Sequence, residues 1–145
     1  MIRIYPPDYT IETDGSIVVW DEDREKTLSV SRPILHFGID HVGVSSGRWL
    51  NCSSGTPSGI TGYYLSRTVI ITAISFATKN IASGNIHIFS VEDGEYTFRY
   101  ELNINSTKNT FFTGLDVDCG QSICAMADSG TYDYPSLLVE VAYVF

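Results

Sequence analysis

A strict alternation of apolar and polar residues between Tyr96 and Ile104 constrains the fold more than any other feature of the sequence. The apolar members are Tyr96, Phe98, Tyr100, Leu102 and Ile104, separated by Thr97, Arg99, Glu101 and Asn103. Successive side chains of a β-strand point to opposite faces of its sheet, so this period of two predicts a strand with one continuously apolar face. No segment shows a helical period of comparable clarity, and we therefore expect an all-β protein.

Turn-forming clusters separate the apolar segments at intervals of roughly ten residues, as strands of an antiparallel sandwich require. They read "SGTPSG" (54–59), "ASGN" (82–85), "EDGE" (92–95), "CGQS" (119–122) and "DSGTYDYP" (128–135). Strands are expected near residues 16–20, 28–37, 48–52, 62–66, 68–78, 84–91, 95–104, 112–119, 122–128 and 136–144. This pattern predicts an antiparallel β-sandwich of jelly-roll type, with eight main strands and extra strands on the N-terminal side.

The segment Thr68–Ala77 is apolar at nearly every position and rich in β-branched residues. Such a run is typical of a strand that is buried on both faces of its sheet. In a fold of two layers the outer face of that strand needs a cover, and a neighbouring subunit is the simplest one.

The N-terminal segment, "RIYPPDYTIETDG" (3–15), predicts an extended arm because proline cannot donate a backbone hydrogen bond. We divide the chain into an arm and crossing segment, residues 1–27, and a sandwich, residues 28–145. The arm is too apolar for a solvated tail, so it packs either on the domain or on a neighbouring molecule. The candidate partner-binding residues are Ile4, Tyr5, Pro6, Pro7, Tyr9, Trp20, Arg24 and Arg32.

Net charge excludes some classes of partner. The 145 residues include 17 acidic and 9 basic side chains, giving a net charge of -8. The electrostatic field of a net negative charge repels phosphate backbones and anionic lipid headgroups, so neither nucleic acid nor membrane is an expected partner. No apolar stretch has the length of a signal peptide or a membrane span, and the chain is expected to be made in the cytosol and to stay soluble.

Candidates for catalysis are sparse. His36, His41 and His87 follow no metal-binding spacing, and His87 is expected on the strand face opposite Ile86 and Ile88. Ser58 in "GTPSG" does not fit the Gly-x-Ser-x-Gly order of a nucleophile elbow. A hydrolytic enzyme would need a carboxylate pair or a metal–histidine set, and neither appears with suitable spacing. The sequence therefore predicts a protein that is not an enzyme and holds no cofactor.

Acidic clusters and cysteines also favour structural interpretations. The segment Asp21–Glu25 and the pair Asp116 and Asp118 offer oxygen ligands, but neither follows a calcium-loop spacing, and solvated turns are the expected structure. Cys119 and Cys124 face each other only if a hairpin turn centres on Gln121 and Ser122. Free thiols are the preferred interpretation, and no metal is expected.

Aromatic residues allow two interpretations. Trp20, Trp49, Tyr63, Tyr64, Tyr132 and Tyr134 either pack in the core and subunit interfaces or form a platform on which sugars stack. Packing is the favoured one. Tyr132 and Tyr134 are nevertheless candidate glycan-contact residues, because they lie in a loop, where binding residues are frequent.

Four segments occur in an order that resembles small jelly-roll virion proteins of tailed bacteriophages. They read "DGSIVVWDEDREKTLSVSRPILHFG", "GYYLSRTVIITAISFAT", "LDVDCGQSICAMADSG" and "PSLLVEVAYVF". The first contains an Arg-x-Lys-x-Leu-Ser-Val-x-Arg stretch, Arg24–Arg32, and the second a Gly-Tyr…Arg…Ile-Thr-x-Ile pattern, Gly62–Ile74. Gly120 and Gln121 stand where the family has a Gly-Asp hairpin, a departure at that turn. The resemblance covers residues 14–145.

The resemblance implies a non-enzymatic structural protein of the virion that assembles with itself as a homotrimer. Our first hypothesis is a capsid decoration, or cement, protein that binds the major capsid protein or another virion protein and stabilises the outer head shell. The alternative is a tail, neck or fibre-associated module that binds a receptor glycan.

Overall fold

The computed structural model describes residues 9–11, 17–21, 26–29, 33–80 and 83–144, and within them the chain forms β-strands and no helix. None of these residues belongs to a helix able to cross a membrane. The strands are β1 (Tyr9–Ile11), β2 (Ile17–Asp21), β3 (Lys26–Ser29), β4 (Ile34–Gly38), β5 (Arg48–Trp49), β6 (Asn51–Cys52), β7 (Tyr63–Tyr64), β8 (Val69–Ala77), β9 (Gly84–Glu92), β10 (Glu95–Ile104), β11 (Lys108–Val117), β12 (Ser122–Ser129) and β13 (Ser136–Tyr143).

Two antiparallel sheets form the sandwich. The first sheet has the order β10-β9-β12-β5, with β7 also paired to β12, and the second has the order β11-β8-β13-β4-β6. Between β4 and β13 the chain passes from one sheet to the other at every connection except the β9–β10 hairpin. The sandwich thus contains ten strands, five in each sheet, and the predicted all-β class and antiparallel β-sandwich are confirmed.

The core lies between the two sheets and draws on nearly every strand of the sandwich. Its fully buried members include Phe37, Leu50, Ile74, Ile88 and Leu137. Burying each side chain of this size contributes roughly 1.5 to 3 kcal/mol before the loss of conformational entropy is counted. The inward faces are therefore committed to packing, and a binding site has to use an outward face, an edge or a loop.

Strand β8 is buried on both faces only at its beginning. Ile71 and Ile74 belong to the core, and Ile70, which points to the outer face, is also buried. Farther along that outer face, Ala73 and Ser75 are partly exposed. The prediction of burial on both faces is thus wrong for most of the strand, and Ile70 is already covered within a single chain.

The N-terminal strands pair with one another as a three-stranded antiparallel sheet, β1-β2-β3. Tyr9 lies in β1 and Trp20 in β2. The other candidate partner-binding residues lie outside the described residues: Ile4, Tyr5, Pro6, Pro7, Arg24 and Arg32. Their role in attachment stays a prediction.

The segment 118–121 is a crossing between the sheets and not a hairpin. It leaves β11 of the second sheet at Val117 and enters β12 of the first sheet at Ser122. Cys119 is exposed in this crossing, whereas Cys124 is buried in β12, and both are free thiols. Burial, reinforced by the nearby Cys52 thiol, raises the pKa of Cys124 to about 12, so this thiol stays protonated at neutral pH.

Candidate functional site

The outward face of the first sheet carries a cluster of aromatic side chains. Strand register places Phe89 opposite Phe98 and places His87 and Trp49 on either side of Met126. Directly opposed residues of antiparallel strands project from the same face of the sheet. Ile86 and Ile88 are buried in the core, so the residues that alternate with them face outward. We call this cluster the aromatic face, and it consists of Trp49, His87, Phe89, Tyr96 and Phe98.

The rings of the aromatic face contact one another in a continuous array. Trp49 and Tyr96 are stacked, with centroids 5.3 Å apart and planes 28° apart. Phe89 meets Trp49 at 5.4 Å and Phe98 at 6.0 Å, both edge to face. Tyr96 and Phe98 remain 49% and 52% exposed, although large apolar side chains usually avoid water. The face is therefore a preassembled apolar surface with two rings open to a ligand.

A tight loop fixes the position of Trp49. The ring lies so close to Gly59 that a Cβ atom added there would come within 2.3 Å of it. The Tyr96 hydroxyl donates a hydrogen bond to the Gly59 carbonyl at 2.5 Å, which ties strand β10 to the same loop. Ser58 is fully buried, and its hydroxyl lies 3.1 Å from both the backbone N–H and the carbonyl of Ala125. Ser58 is thus a structural residue that joins this loop to β12.

A polar cluster borders the aromatic rings. His87 Nε2 lies 3.0 Å from Glu101 Oε1 and 3.5 Å from Asp128 Oδ2. The His87 ring is also edge-on to Phe98, with centroids 4.8 Å apart. The imidazole is mostly buried, whereas both carboxylates are exposed and keep free acceptor capacity. Flat apolar rings and hydrogen-bonding groups are thus presented side by side to solvent.

A bulge in β10 creates the aromatic face. The pairing of β9 with β10 shifts register between Phe98 and Tyr100, which leaves Arg99 as the extra residue. The Arg99 guanidinium donates hydrogen bonds to Ser90 Oγ at 3.3 Å and to the carbonyl of Asp116 in the second sheet at 2.5 Å. The extra residue shifts the alternation of the side chains, so that Tyr96 and Phe98, which precede the bulge, point outward. Leu102 and Ile104 point into the core.

The expectation of one continuously apolar face on this strand is therefore wrong. The alternation itself assigned Tyr96 and Phe98 to the same face as Leu102 and Ile104, and it gave no indication of a bulge at Arg99. Phe89 was not predicted either. It lies in a largely apolar strand, of which only His87 was considered as a candidate functional residue. Trp49 was the only residue of the aromatic face that the sequence placed in a possible platform.

The two tyrosines predicted to contact a glycan lie in different environments. Tyr132 is 1% exposed, packs edge to face on Phe76 at 5.3 Å and donates a hydrogen bond from its hydroxyl to the Ser129 carbonyl at 2.7 Å. Burial and the Asp128 carboxylate raise the pKa of Tyr132 to about 12. Tyr132 is thus a core residue and cannot form a ligand-contact pair with its neighbour.

Tyr134 is 45% exposed and lies at the surface away from the aromatic face. Its φ of 52° is unusual for a residue with a side chain, and Lys79 Nζ lies 5.8 Å from its ring centroid. Of the other tyrosines, Tyr63 donates a hydrogen bond to the His36 carbonyl at 2.5 Å, and Tyr64 is exposed on β7.

One histidine in the described part of the chain lies beside a serine hydroxyl. His36 Nε2 lies 3.1 Å from Ser136 Oγ, which is the geometry of a base beside a nucleophile. A single histidine–serine contact between the neighbouring strands β4 and β13 does not by itself define a catalytic site. Within the described ranges there is also no group of three or more histidine, cysteine or acidic side chains that could hold a metal ion.

No protein-family model matches the sequence, and no curated protein matches it. Among solved structures, the fold is similar to a mutant of the family 29 carbohydrate-binding module CBM29-2. That match has a TM-score of 0.37 and 8% sequence identity, and it covers 94% of this chain and 81% of the other. The case for a binding site therefore rests on the aromatic face itself.

Proposed function

We propose that this protein is a non-enzymatic binding module of a bacteriophage virion and that its aromatic face binds carbohydrate. One observation carries the proposal: stacked Trp49 and Tyr96, with Phe98 beside them, form an exposed aromatic surface directly next to the hydrogen-bonding cluster of His87, Glu101 and Asp128. The assignment to a virion rests on the resemblance in sequence order.

Sugar rings match this surface in shape and polarity. The C–H groups of a pyranose form an apolar patch that packs on aromatic rings, while its hydroxyl groups seek hydrogen-bond partners at the edge. Glu101 and Asp128 accept hydrogen bonds from such hydroxyls, and Phe98 and Tyr96 offer the apolar contact. Burying these rings in the core would stabilise the fold more than leaving them exposed, so their exposure favours a role in binding.

The proposal is tested by titrating the full-length protein with hexasaccharides of glucose, mannose, xylose and galactose. Intrinsic tryptophan fluorescence and calorimetry report the binding. We expect at least one sugar to bind saturably with a dissociation constant of about 10 μM to 1 mM, because the face is open and shallow. If none of these sugars binds at millimolar concentration, the proposal is wrong.

A second candidate, capsid decoration, is favoured by a different surface. Phe112 is 84% exposed on the outward face of the second sheet. The register places it in one row with Ala73, Glu140 and Ile34, and Leu138 lies in the next row. The exposed apolar side chains of this face, Phe112, Ile34 and Leu138, fit contact with another copy of the chain or with a capsid subunit. We propose it as the surface through which a homotrimer assembles.

Replacing Phe112 by glutamate is expected to convert the trimer to monomer, because a carboxylate in an apolar interface loses its hydration without gaining a partner. Light scattering after size-exclusion chromatography measures the change. Tyr134→Glu, at another exposed aromatic position, serves as the matched control and should remain trimeric. A wild-type protein with the mass of a single chain would contradict this candidate.

A further inference from the structure

Carboxylates border the aromatic face at the end that carries His87. Glu101 and Asp128 lie on either side of the imidazole, and both side chains are exposed. Glu92 and Glu95, next to the β9–β10 turn, alternate with Val91 and Tyr96 and therefore point to the other side of the sheet, where they line an open cavity of about 310 Å³. A ligand that lies on the rings therefore meets negative charge at the His87 end.

The described outward positions of β5, β9, β10 and β12 hold no lysine or arginine that would offset this charge. Arg48 is next to Trp49 on β5, but it pairs with the buried Ala127 and so alternates to the other side of the sheet. Arg99, which belongs to β10, directs its guanidinium away from the face to Ser90 and the Asp116 carbonyl. His87, the ionisable base among the five residues of the face, is already paired with Glu101 and Asp128. The net charge of the whole chain, -8, has the same sign.

This arrangement discriminates between classes of saccharide. Neutral sugars bring hydroxyl groups, which donate hydrogen bonds to the free oxygen atoms of Glu101 and Asp128. Sugars with a carboxylate or sulfate bring a further negative charge next to Glu101 and Asp128, where the described outward strand positions hold no lysine or arginine. Repulsion between unit charges several ångströms apart near a protein surface changes affinity by about tenfold or more.

We infer that the aromatic face selects neutral saccharides and rejects acidic ones, such as uronic acid polymers and sialylated glycans. This inference rests on the proposed carbohydrate-binding function and narrows it to a chemical class of ligand. It assigns Glu101 and Asp128 as specificity-determining residues, with His87 as the positioning residue that holds both carboxylates at the edge of the rings.

The experiment compares matched sugars on the full-length protein at low ionic strength. Lactose is paired with sialyllactose, and the neutral hexasaccharides are paired with hexagalacturonic acid. We expect each acidic sugar to bind at least about tenfold more weakly than its neutral counterpart, and we expect 0.5 M NaCl to narrow that difference because salt screens exposed charges. Glu101→Gln should improve the binding of acidic sugars about threefold or more, because one repelling charge is removed.

Asp40→Asn is the matched control, since it removes one negative charge from an exposed position beyond β4 of the second sheet. It should leave the ratio of neutral to acidic binding unchanged. Acidic sugars that bind as tightly as neutral ones would overturn this inference and leave the carbohydrate-binding function intact. A preference for neutral sugars that Glu101→Gln does not alter would also overturn it. Failure of every sugar to bind would overturn the proposed function and this inference together.

Discussion

Replacing either Trp49 or Tyr96 by alanine is expected to weaken saccharide binding by about 30-fold or more, the loss that central aromatic anchors of an interface commonly produce. The two rings are stacked at 5.3 Å, so each substitution removes a contact surface and also releases its neighbour. The combined variant should therefore lose less than the product of the two single effects, since residues in direct contact are not independent. Isothermal titration with the tightest-binding neutral hexasaccharide measures all three variants.

Phe112→Ala is the control for this experiment. Phe112 is a more exposed aromatic residue than Tyr96, but it lies on the opposite sheet, so its removal should leave sugar affinity within about twofold of wild type. Thermal unfolding of each variant separates lost binding from lost folding. Equal losses for Phe112→Ala and Tyr96→Ala would place the sugar elsewhere and contradict the role of the aromatic face.

Replacing Tyr132 by alanine is expected to lower the free energy of unfolding by about 3 to 5 kcal/mol, the usual cost of truncating a buried aromatic ring. The ring is 1% exposed and packs on Phe76, so its loss leaves a cavity in the core. Tyr132→Phe keeps the ring and removes only the hydrogen bond to the Ser129 carbonyl, at a cost of about 1 kcal/mol. Urea unfolding monitored by circular dichroism measures both.

Tyr134→Ala supplies the matched comparison two residues away. Its side chain is 45% exposed, and its removal should change the free energy of unfolding by less than about 0.5 kcal/mol and leave sugar binding unaltered. If Tyr132→Ala is as stable as wild type, Tyr132 does not belong to the core. If Tyr134→Ala abolishes sugar binding, the glycan contacts the loop 128–135 and not the sheet.

Local sequence patterns predicted most of the strands, because strand and turn formation depend on the side chains of neighbouring residues. The alternation and the β-branched runs located the long strands β8, β9, β10, β12 and β13 to within about two residues. Turn-forming clusters marked where the strands end. Local sequence does not indicate to which sheet a connection leads. The segment 118–121 has the composition of a hairpin turn, yet it connects two different sheets.

The candidate site was harder to predict because one inserted residue determines it. A period of two assigns Tyr96 and Leu102 to the same face, and the bulge at Arg99 separates them. Arg99 is held there by bonds to Ser90 and to the Asp116 carbonyl, partners distant in sequence or in another sheet. The two tyrosines of the loop 128–135 were also hard to tell apart. Nothing in the local sequence indicates that Tyr132 is buried and Tyr134 is exposed.

Carbohydrate binding by the aromatic face is tested most directly by two-dimensional NMR of the full-length protein during titration with a bound neutral hexasaccharide. We predict the largest chemical-shift changes at the Trp49 indole N–H, at the ring protons of Tyr96 and Phe98, and at the His87 imidazole, with intermolecular contacts from these rings to sugar C–H protons. Changes confined to Phe112 and the second sheet, or to Tyr134 and its loop, would contradict binding at the aromatic face.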